Sequence, residues 1–240
     1  MELKSLSVFI PVFNEERIIE KNLGSILSAI EEVSEDFEIL IIDDGSTDHS
    51  KEKVLEWIKK CQKIRLIEHK TNLGYGAALR SGFKNAQKDW IFYTDMDLPA
   101  DLDNLKKVVS LMGIYDLVIG YRINRQDTPR RFIYTKIYKF LLKVLFNLKA
   151  KDINFSFKCV KKTAIEKINF TAKTGFIDGE LLIESVRNGF TVKEIPIIYW
   201  PRKYGNSNFD SFRVAVSTAQ EILLYWLGKL SSGKRLKKCR

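Results

Sequence analysis

The sequence contains few of the residues that cross-link a small protein or hold a zinc ion. Its 240 residues include three cysteines (Cys61, Cys159, Cys239) and two histidines (His49, His69). The cysteines are widely spaced and form no CxxC pair, which argues against a zinc site. A chain of this length buries about 70–75% of its unfolded surface and needs no disulfide bonds. We therefore expect reduced thiols, which are typical of the cytosol.

Long apolar runs are also missing. The longest uninterrupted runs, such as Ile222 to Leu227, fall far short of the about 20 apolar residues that a bilayer span needs. The chain begins with Met1 and runs at once into a strand-like segment, leaving no room for a signal peptide. These features predict a cytoplasmic protein without a transmembrane segment.

The net charge of +10 is unevenly distributed. Residues 122–151 carry nine basic residues and one acid, and residues 229–240 carry six basic residues and no acid. Each patch adjoins an amphipathic stretch rich in aromatic and aliphatic residues, the composition of a helix that lies on an anionic membrane surface. A core helix with solvated lysines and a solubilising tail would have the same composition.

The first half of the chain alternates short apolar runs with longer amphipathic stretches. The runs predict strands at 7–11, 37–42, 64–67, 90–94 and 116–120, and the stretches predict helices at 15–32, 49–60, 76–86 and 101–112. The second half predicts helices at 130–151, 178–188 and 210–230 and a strand at 192–199. This order is typical of the α/β class, with an open, twisted, mostly parallel sheet covered by helices on both faces.

Acidic residues follow two of the predicted strands, where ligands bind in such sheets. Asp95 and Asp97 come directly after strand 90–94, and alternate residues of an extended segment point the same way. Two carboxylates together with phosphate oxygens suit Mg²⁺ or Mn²⁺. The same acids are equally expected at the start of a helix. Asp43 and Asp44 follow strand 37–42, where one carboxylate can accept hydrogen bonds from a nucleoside.

A glycine-containing segment, residues 72–82, precedes a predicted helix. Its glycines allow backbone amides to approach a phosphate or sugar at the positive end of the helix dipole. The segment matches neither the dinucleotide-binding fingerprint nor the P-loop, which disfavours a dehydrogenase and a P-loop NTPase.

In their order and spacing, the motifs resemble the family 2 glycosyltransferases, which have the GT-A fold. The motifs are Pro11-Val-Phe-Asn-Glu15, Asp43-Asp-Gly-Ser-Thr-Asp48, Asn72-Leu-Gly-Tyr-Gly76 and Asp95-Met-Asp97. Later segments are similar to the branch that includes dolichol-phosphate mannosyltransferases and polyprenyl-phosphate glycosyltransferases. They are Ile119-Gly-Tyr-Arg122, Asp152-Ile-Asn-Phe-Ser-Phe-Lys158, Glu180-Leu-Leu, Glu194-Ile-Pro-Ile and residues 202–207. The resemblance implies a GT-A domain over residues 1–209, followed by an amphipathic helix and basic tail over 210–240.

The resemblance implies an inverting enzyme that moves a hexose from a GDP- or UDP-sugar to dolichyl or undecaprenyl phosphate at the cytosolic membrane face. The implied nucleotide-sugar site consists of Pro11, Phe13, Glu15, Asp43, Asp44, Gly74, Asp95 and Met96. Asp95 and Asp97 would hold Mg²⁺ or Mn²⁺, and the implied catalytic residues are Asp95, Asp97, Arg122 and Arg202. The implied acceptor site consists of Arg122, Arg131, Thr135 and Arg202.

One position departs from the branch. A glutamine often follows the second aspartate by two positions, whereas this chain has Pro99, whose side chain cannot bind a metal. Asp101 is the candidate substitute.

The sequence is also compatible with two alternatives. A saccharide hydroxyl acceptor would need a general base, for which Asp178 and Glu180 are candidates, whereas a lipid phosphate is already anionic and needs cations to position it. A basic nucleic-acid-binding protein is the remote alternative. The sequence has no helix-turn-helix or RNA-binding signature, so we expect no nucleic acid partner.

Overall fold

The computed structural model describes residues 5–124, 128–200 and 212–231 of the chain. Seven strands form one sheet: β1 (Leu6–Val12), β2 (Phe37–Asp43), β3 (Ile64–Glu68), β4 (Trp90–Thr94), β5 (Leu117–Ile123), β6 (Phe157–Lys161) and β7 (Val192–Ile198). The helices are α1 (Ile19–Glu31), α2 (Ser50–Lys60), α3 (Tyr75–Asn85), α4 (Asn104–Leu111), α5 (Pro129–Phe146), α6 (Lys162–Ile165), α7 (Phe176–Arg187) and α8 (Phe212–Ser231).

The sheet order is β3-β2-β1-β4-β6-β5-β7. All neighbouring strands are parallel except β6, which is antiparallel to both β4 and β5. The predicted α/β class with a mostly parallel sheet is therefore confirmed. Because β1, β2 and β4 are parallel neighbours, the segments that follow them meet at one edge of the sheet.

Strand β6 was not among the predicted strands. Its residues Phe157 and Cys159 face one core, but Lys158 lies between them and gives the segment a charged, irregular pattern. The Lys158 side chain is fully buried because it pairs with Asp178 of α7. Because the pair joins β6 to α7, it cannot be predicted from the sequence around Lys158 alone.

Each face of the sheet has its own apolar core, because successive residues of a strand point to opposite faces. Val8 and Ile10 of β1 pack with α1, α2 and α4 on one face. Phe9 points to the other face, where α3, α5, α7 and α8 lie, and its ring stacks on Tyr93 with centroids 5.1 Å apart. The predicted helices on both faces are thus confirmed.

Two findings concern the length and polarity of the helices. Helix α5 ends at Phe146, before the predicted end at residue 151, because Asn147 adopts a left-handed conformation with φ 56°. Within the described residues, the helices are too short or too polar to cross a bilayer.

Candidate active site

A cavity of about 830 Å³ lies beyond the carboxyl ends of β1, β2 and β4. Most of the residues predicted to form a site line this one cavity: Pro11, Phe13, Glu15, Asp44, Gly74, Asp95, Met96, Asp97, Arg122, Arg131 and Thr135. Asp43 does not line it, and Arg202 lies outside the described residues. Motifs that are far apart in the sequence therefore line the same cavity.

Asp44 is the buried carboxylate on the wall of the cavity at the end of β2. Its Oδ1 lies 2.7 Å from His69 Nδ1 and accepts from the Leu73 amide at 2.9 Å, and its Oδ2 accepts from the Gly74 amide at 2.8 Å. Ser81 Oγ lies 2.8 Å from His69 Nε2. These contacts fix the carboxylate and attach the glycine-containing segment to β2. No local pattern marks His69, because its partner is far away in the sequence.

Asp43, the neighbour of Asp44, has a different role in the structure. Its Oδ1 accepts from the Ser46 amide at 3.0 Å and closes the turn after β2. Gly45 in that turn has φ 72°, and a Cβ there would lie 2.5 Å from the Thr71 carbonyl carbon. Adjacent residues of a strand point in opposite directions, so only Asp44 reaches the cavity.

Asp95 and Asp97 lie on the cavity directly after β4. The Asp95 carboxylate accepts a hydrogen bond from Ser156 Oγ, and the Asn22 side chain donates to the Met96 carbonyl at 2.8 Å. Leu98 adopts a left-handed φ of 49°, a conformation that costs a non-glycine residue about 1–3 kcal/mol. The segment that carries the two carboxylates is thus fixed on both sides.

The donor set fits a divalent ion that binds together with a diphosphate. Among the residues that the structure describes, no three His, Cys, Asp or Glu side chains cluster closely enough to hold an ion by themselves. Mg²⁺ and related ions are commonly held by one or two carboxylates plus substrate phosphates, which is what Asp95 and Asp97 offer. Pro99 lines the cavity, whereas Asp101 does not and instead accepts from the Asp103 amide at 3.0 Å.

Arg122 reaches the cavity from β5 as one half of a buried ion pair. Its Nε and Nη2 donate to the two carboxylate oxygens of Asp152 at 2.6 and 2.9 Å. The guanidinium also lies 5.2 Å from the ring centroid of Phe155 and 5.4 Å from that of Tyr199. Such a bidentate ion pair holds the guanidinium in one orientation.

A family model described as glycosyl transferase family 2 matches residues 7–169 of the chain. The chain belongs to glycosyltransferase family 2. The match begins within β1, extends through β6 and includes the segments that follow β1, β2 and β4 at the cavity.

Three relatives illustrate the sequence similarity. The chain is 28% identical over 231 residues to glycosyltransferase AglD of Haloferax volcanii, covering 92% of this chain and 37% of that protein. It is 26% identical over 217 residues to undecaprenyl-phosphate 4-deoxy-4-formamido-L-arabinose transferase of Pectobacterium carotovorum, covering 89% and 65%. It is 30% identical over 212 residues to dolichyl-phosphate beta-glucosyltransferase ALG5A of Trichomonas vaginalis, covering 80% and 64%. The family 2 chain thus spans between 37% and 65% of the length of these relatives.

Solved structures share the fold. Glucosyl-3-phosphoglycerate synthase from Mycobacterium tuberculosis, in complex with Mn²⁺, UDP and phosphoglyceric acid, superposes with a TM-score of 0.73 at 16% identity, covering 94% of this chain and 79% of that one. S. aureus TarS 1–349 with UDP-GlcNAc gives a TM-score of 0.64 at 16% identity, covering 92% and 66%. The GT-A fold that the sequence predicted for this family 2 chain is confirmed.

The two carboxylates predicted as candidate bases for a hydroxyl acceptor do not line the cavity in this family 2 chain. Asp178 is 1% exposed, and its Oδ1 lies 2.6 Å from Lys158 Nζ and accepts from the Tyr93 hydroxyl at 2.6 Å. Glu180 is buried and accepts from the amides of Thr171 and Ala172. Burial raises the pKa of the Glu180 carboxyl. Both side chains therefore hold the fold together at the start of α7.

Parts of the cavity wall were not predicted from the sequence. They are the loop Lys173–Gly175 and the inner face of α8, including Val214, Ala219 and Ile222. Neither segment contains a motif, and the folding of the second half of the chain brings both to the cavity.

Proposed function

We propose that this family 2 chain is an inverting glycosyltransferase that moves a hexose from a nucleotide sugar to a polyprenyl phosphate. The observation that carries the proposal is the two-sided character of the cavity. One end is formed by acidic and glycine residues after the parallel strands, and the other by apolar residues of α5 and α8. The names of two relatives, which specify undecaprenyl-phosphate and dolichyl-phosphate transferases, support the same acceptor class.

The strand end of the cavity is the proposed donor site. Pro11, Phe13 and Glu15 would line the nucleoside pocket, and Asp44 would accept a hydrogen bond from the base or ribose. Asp95 and Asp97 would hold Mg²⁺ or Mn²⁺, which supplies positive charge to the departing nucleoside diphosphate. The hydrogen bonds that fix Asp44 and Asp95 mean that little reorganisation is needed when the donor binds.

The helix end of the cavity is the proposed acceptor site. Arg131 and Thr135 lie on the first turns of α5, and Leu141 of α5 and Ile222 of α8 extend the wall as an apolar surface. A lipid phosphate attacks as an anion and needs cations and an apolar path, whereas a sugar hydroxyl needs a base. Neither Asp178 nor Glu180 lines the cavity, which favours the lipid phosphate. Arg122 and Arg202 complete the proposed set of cations.

We further propose that α5 and α8 rest on the cytosolic membrane surface. Their outward faces expose large apolar side chains: Phe132, Ile133, Phe140 and Val144 on α5, and Leu223, Leu224 and Leu227 on α8. Lysines interleave with this face on α5. Exposed apolar side chains beside lysines are the composition of a helix bound at an anionic lipid interface.

A transfer assay tests the proposed reaction. The full chain is incubated with radiolabelled UDP-glucose, GDP-mannose or UDP-N-acetylglucosamine, Mn²⁺ or Mg²⁺, and vesicles that contain undecaprenyl phosphate. We expect one donor to label the lipid fraction, and a chelator to stop the labelling because the leaving diphosphate loses its counter-charge. Labelling of a free saccharide without lipid phosphate would instead support the hydroxyl-acceptor alternative.

A second assay tests membrane binding. Phe140 is 63% and Leu224 is 69% exposed, and burying one such side chain contributes about 1.5–3 kcal/mol. We therefore expect the double variant Phe140→Glu with Leu224→Glu to co-sediment with anionic phospholipid vesicles at least about tenfold more weakly than the wild type. Ile114→Glu is the matched control, because Ile114 is 67% exposed at the opposite end of the sheet. An equal loss in the control would contradict the assignment of this surface.

A further inference from the structure

One carboxylate of α8 holds a wall of the cavity in place. Glu221 Oε1 accepts from the Lys173 amide at 2.7 Å, and Oε2 accepts from the Thr174 amide at 3.1 Å and from Thr174 Oγ1 at 2.6 Å. Lys173, Thr174 and Gly175 line the cavity. Both oxygens of a single side chain on α8 are therefore bonded to the backbone of the proposed site.

Ala172, which precedes this segment, is bonded to parts of the protein other than α8. The Ala172 amide donates to Glu180 at 2.9 Å, and the Arg80 side chain donates to the Ala172 carbonyl. Gly76 of α3 packs so closely under the loop that a Cβ there would lie 2.5 Å from the Lys173 carbonyl carbon and oxygen. The loop is thus attached to the main body at Ala172 and packs on α3 at the Lys173 carbonyl. Glu221 binds the amides of Lys173 and Thr174.

Helix α8 has an inner face of polar anchors and an outer apolar face. On the inner face, the Tyr225 hydroxyl donates to Glu184 of α7 at 2.5 Å, and Lys229 Nζ lies 3.1 Å from the same carboxylate. Burial raises the pKa of Glu184, but hydrogen bonds from Tyr225, Arg187 and Lys229 outweigh this effect and hold the pKa below its usual value. The outer face carries the exposed side chains described above. One helix therefore contacts the cavity loop and the proposed membrane surface.

We propose that Glu221 is a positioning residue that couples α8 to the cavity, so that the wall Lys173–Gly175 is complete only while α8 is docked. This inference rests on the proposed function, because it assigns the cavity to the reactants. The wall lies between the proposed donor end, at α3, and the proposed acceptor end, at α8. A loosened wall would misplace the acceptor relative to the donor, and misplacement of about 1 Å can cost about 10²-fold in rate. Binding of the outer face of α8 to a membrane would hold α8, and with it the wall, in place.

Hydrogen exchange in the full chain tests the coupling independently of activity. In Glu221→Gln, one carboxylate oxygen becomes an amide nitrogen that cannot accept from the loop. We expect at least one of the amides of Lys173 and Thr174 to exchange about tenfold faster or more than in the wild type. Gln220→Ala is the matched control, because Gln220 is the exposed neighbour on the same helix, and its exchange should equal that of the wild type. Unchanged exchange at both amides of Glu221→Gln would overturn the coupling.

Kinetics then separate positioning from a general loss of structure. With the donor that the wild type uses and undecaprenyl phosphate in vesicles, we expect Glu221→Gln to lower kcat about tenfold. The dissociation constant of the corresponding nucleoside diphosphate with Mn²⁺, measured by calorimetry, should stay within about twofold of the wild type. A parallel loss of nucleotide binding, transfer and melting temperature would overturn the inference. If the wild type itself transfers nothing to lipid phosphate, the proposed function fails, and the exchange result still decides the coupling.

Discussion

Asp97→Asn is expected to lower metal-dependent sugar transfer by about 10³-fold or more while leaving the fold intact. The two carboxylates after β4 line the cavity and are the proposed ligands of the divalent ion, and Asn keeps the size of Asp97 but removes its charge. A loss of about 10³-fold corresponds to about 4 kcal/mol at the transition state, the magnitude associated with losing one preorganised electrostatic contact. The measurement is kcat/KM for transfer over a range of Mn²⁺ concentrations.

Two controls make this result specific. Asp103→Asn removes an exposed acid close in sequence that forms a surface ion pair with Lys106 at 3.6 Å, and it should change transfer less than about twofold. Calorimetry should show that Mn²⁺ strengthens binding of the nucleoside diphosphate to the wild type but not to Asp97→Asn. Full metal-dependent turnover in Asp97→Asn would show that the metal assignment is wrong.

The first half of the fold could be predicted because most of its strands are buried on both faces. Buried parallel strands are continuous apolar runs, and β2 has no exposed residue from Phe37 to Asp43. Strand β6 could not be predicted in the same way. Its buried Lys158 is neutralised by Asp178, and the sequence does not show which distant acid a lysine will meet.

The cavity likewise combines residues that local sequence patterns predict with residues whose positions depend on distant contacts. The proposed donor side follows from topology, since residues placed directly after parallel strands meet at one edge of the sheet. The contacts of His69 with Asp44 and of Glu221 with Thr174 depend on loops and helices packed together in the final structure. The sequence therefore predicted which of these residues line the cavity but not the side chains that hold them in position.

Asp178→Asn is expected to destabilise the protein without removing a reacting group. Lys158 and Asp178 are 0% and 1% exposed with 2.6 Å between Nζ and Oδ1, so the variant leaves a buried ammonium without its counter-charge. Breaking such a pair costs about 3–5 kcal/mol, which lowers the melting temperature by roughly 10 °C in a chain of this size. Urea denaturation at neutral pH measures the loss. Lys161→Met is the matched control, because it replaces a partly buried lysine of the same strand.

The double variant Lys158→Met with Asp178→Asn decides between a structural and a catalytic role for Asp178. It removes both charges and keeps a carbonyl oxygen for the Tyr93 hydroxyl, so we expect most of the lost stability to return. If the acceptor is a lipid phosphate, transfer should return together with stability, since no base is missing. If Asp178 were the general base for a hydroxyl acceptor, the restabilised double variant would remain about 10²-fold or more below the wild type. Transfer per folded molecule in this variant therefore decides whether Asp178 acts as the base of a hydroxyl acceptor.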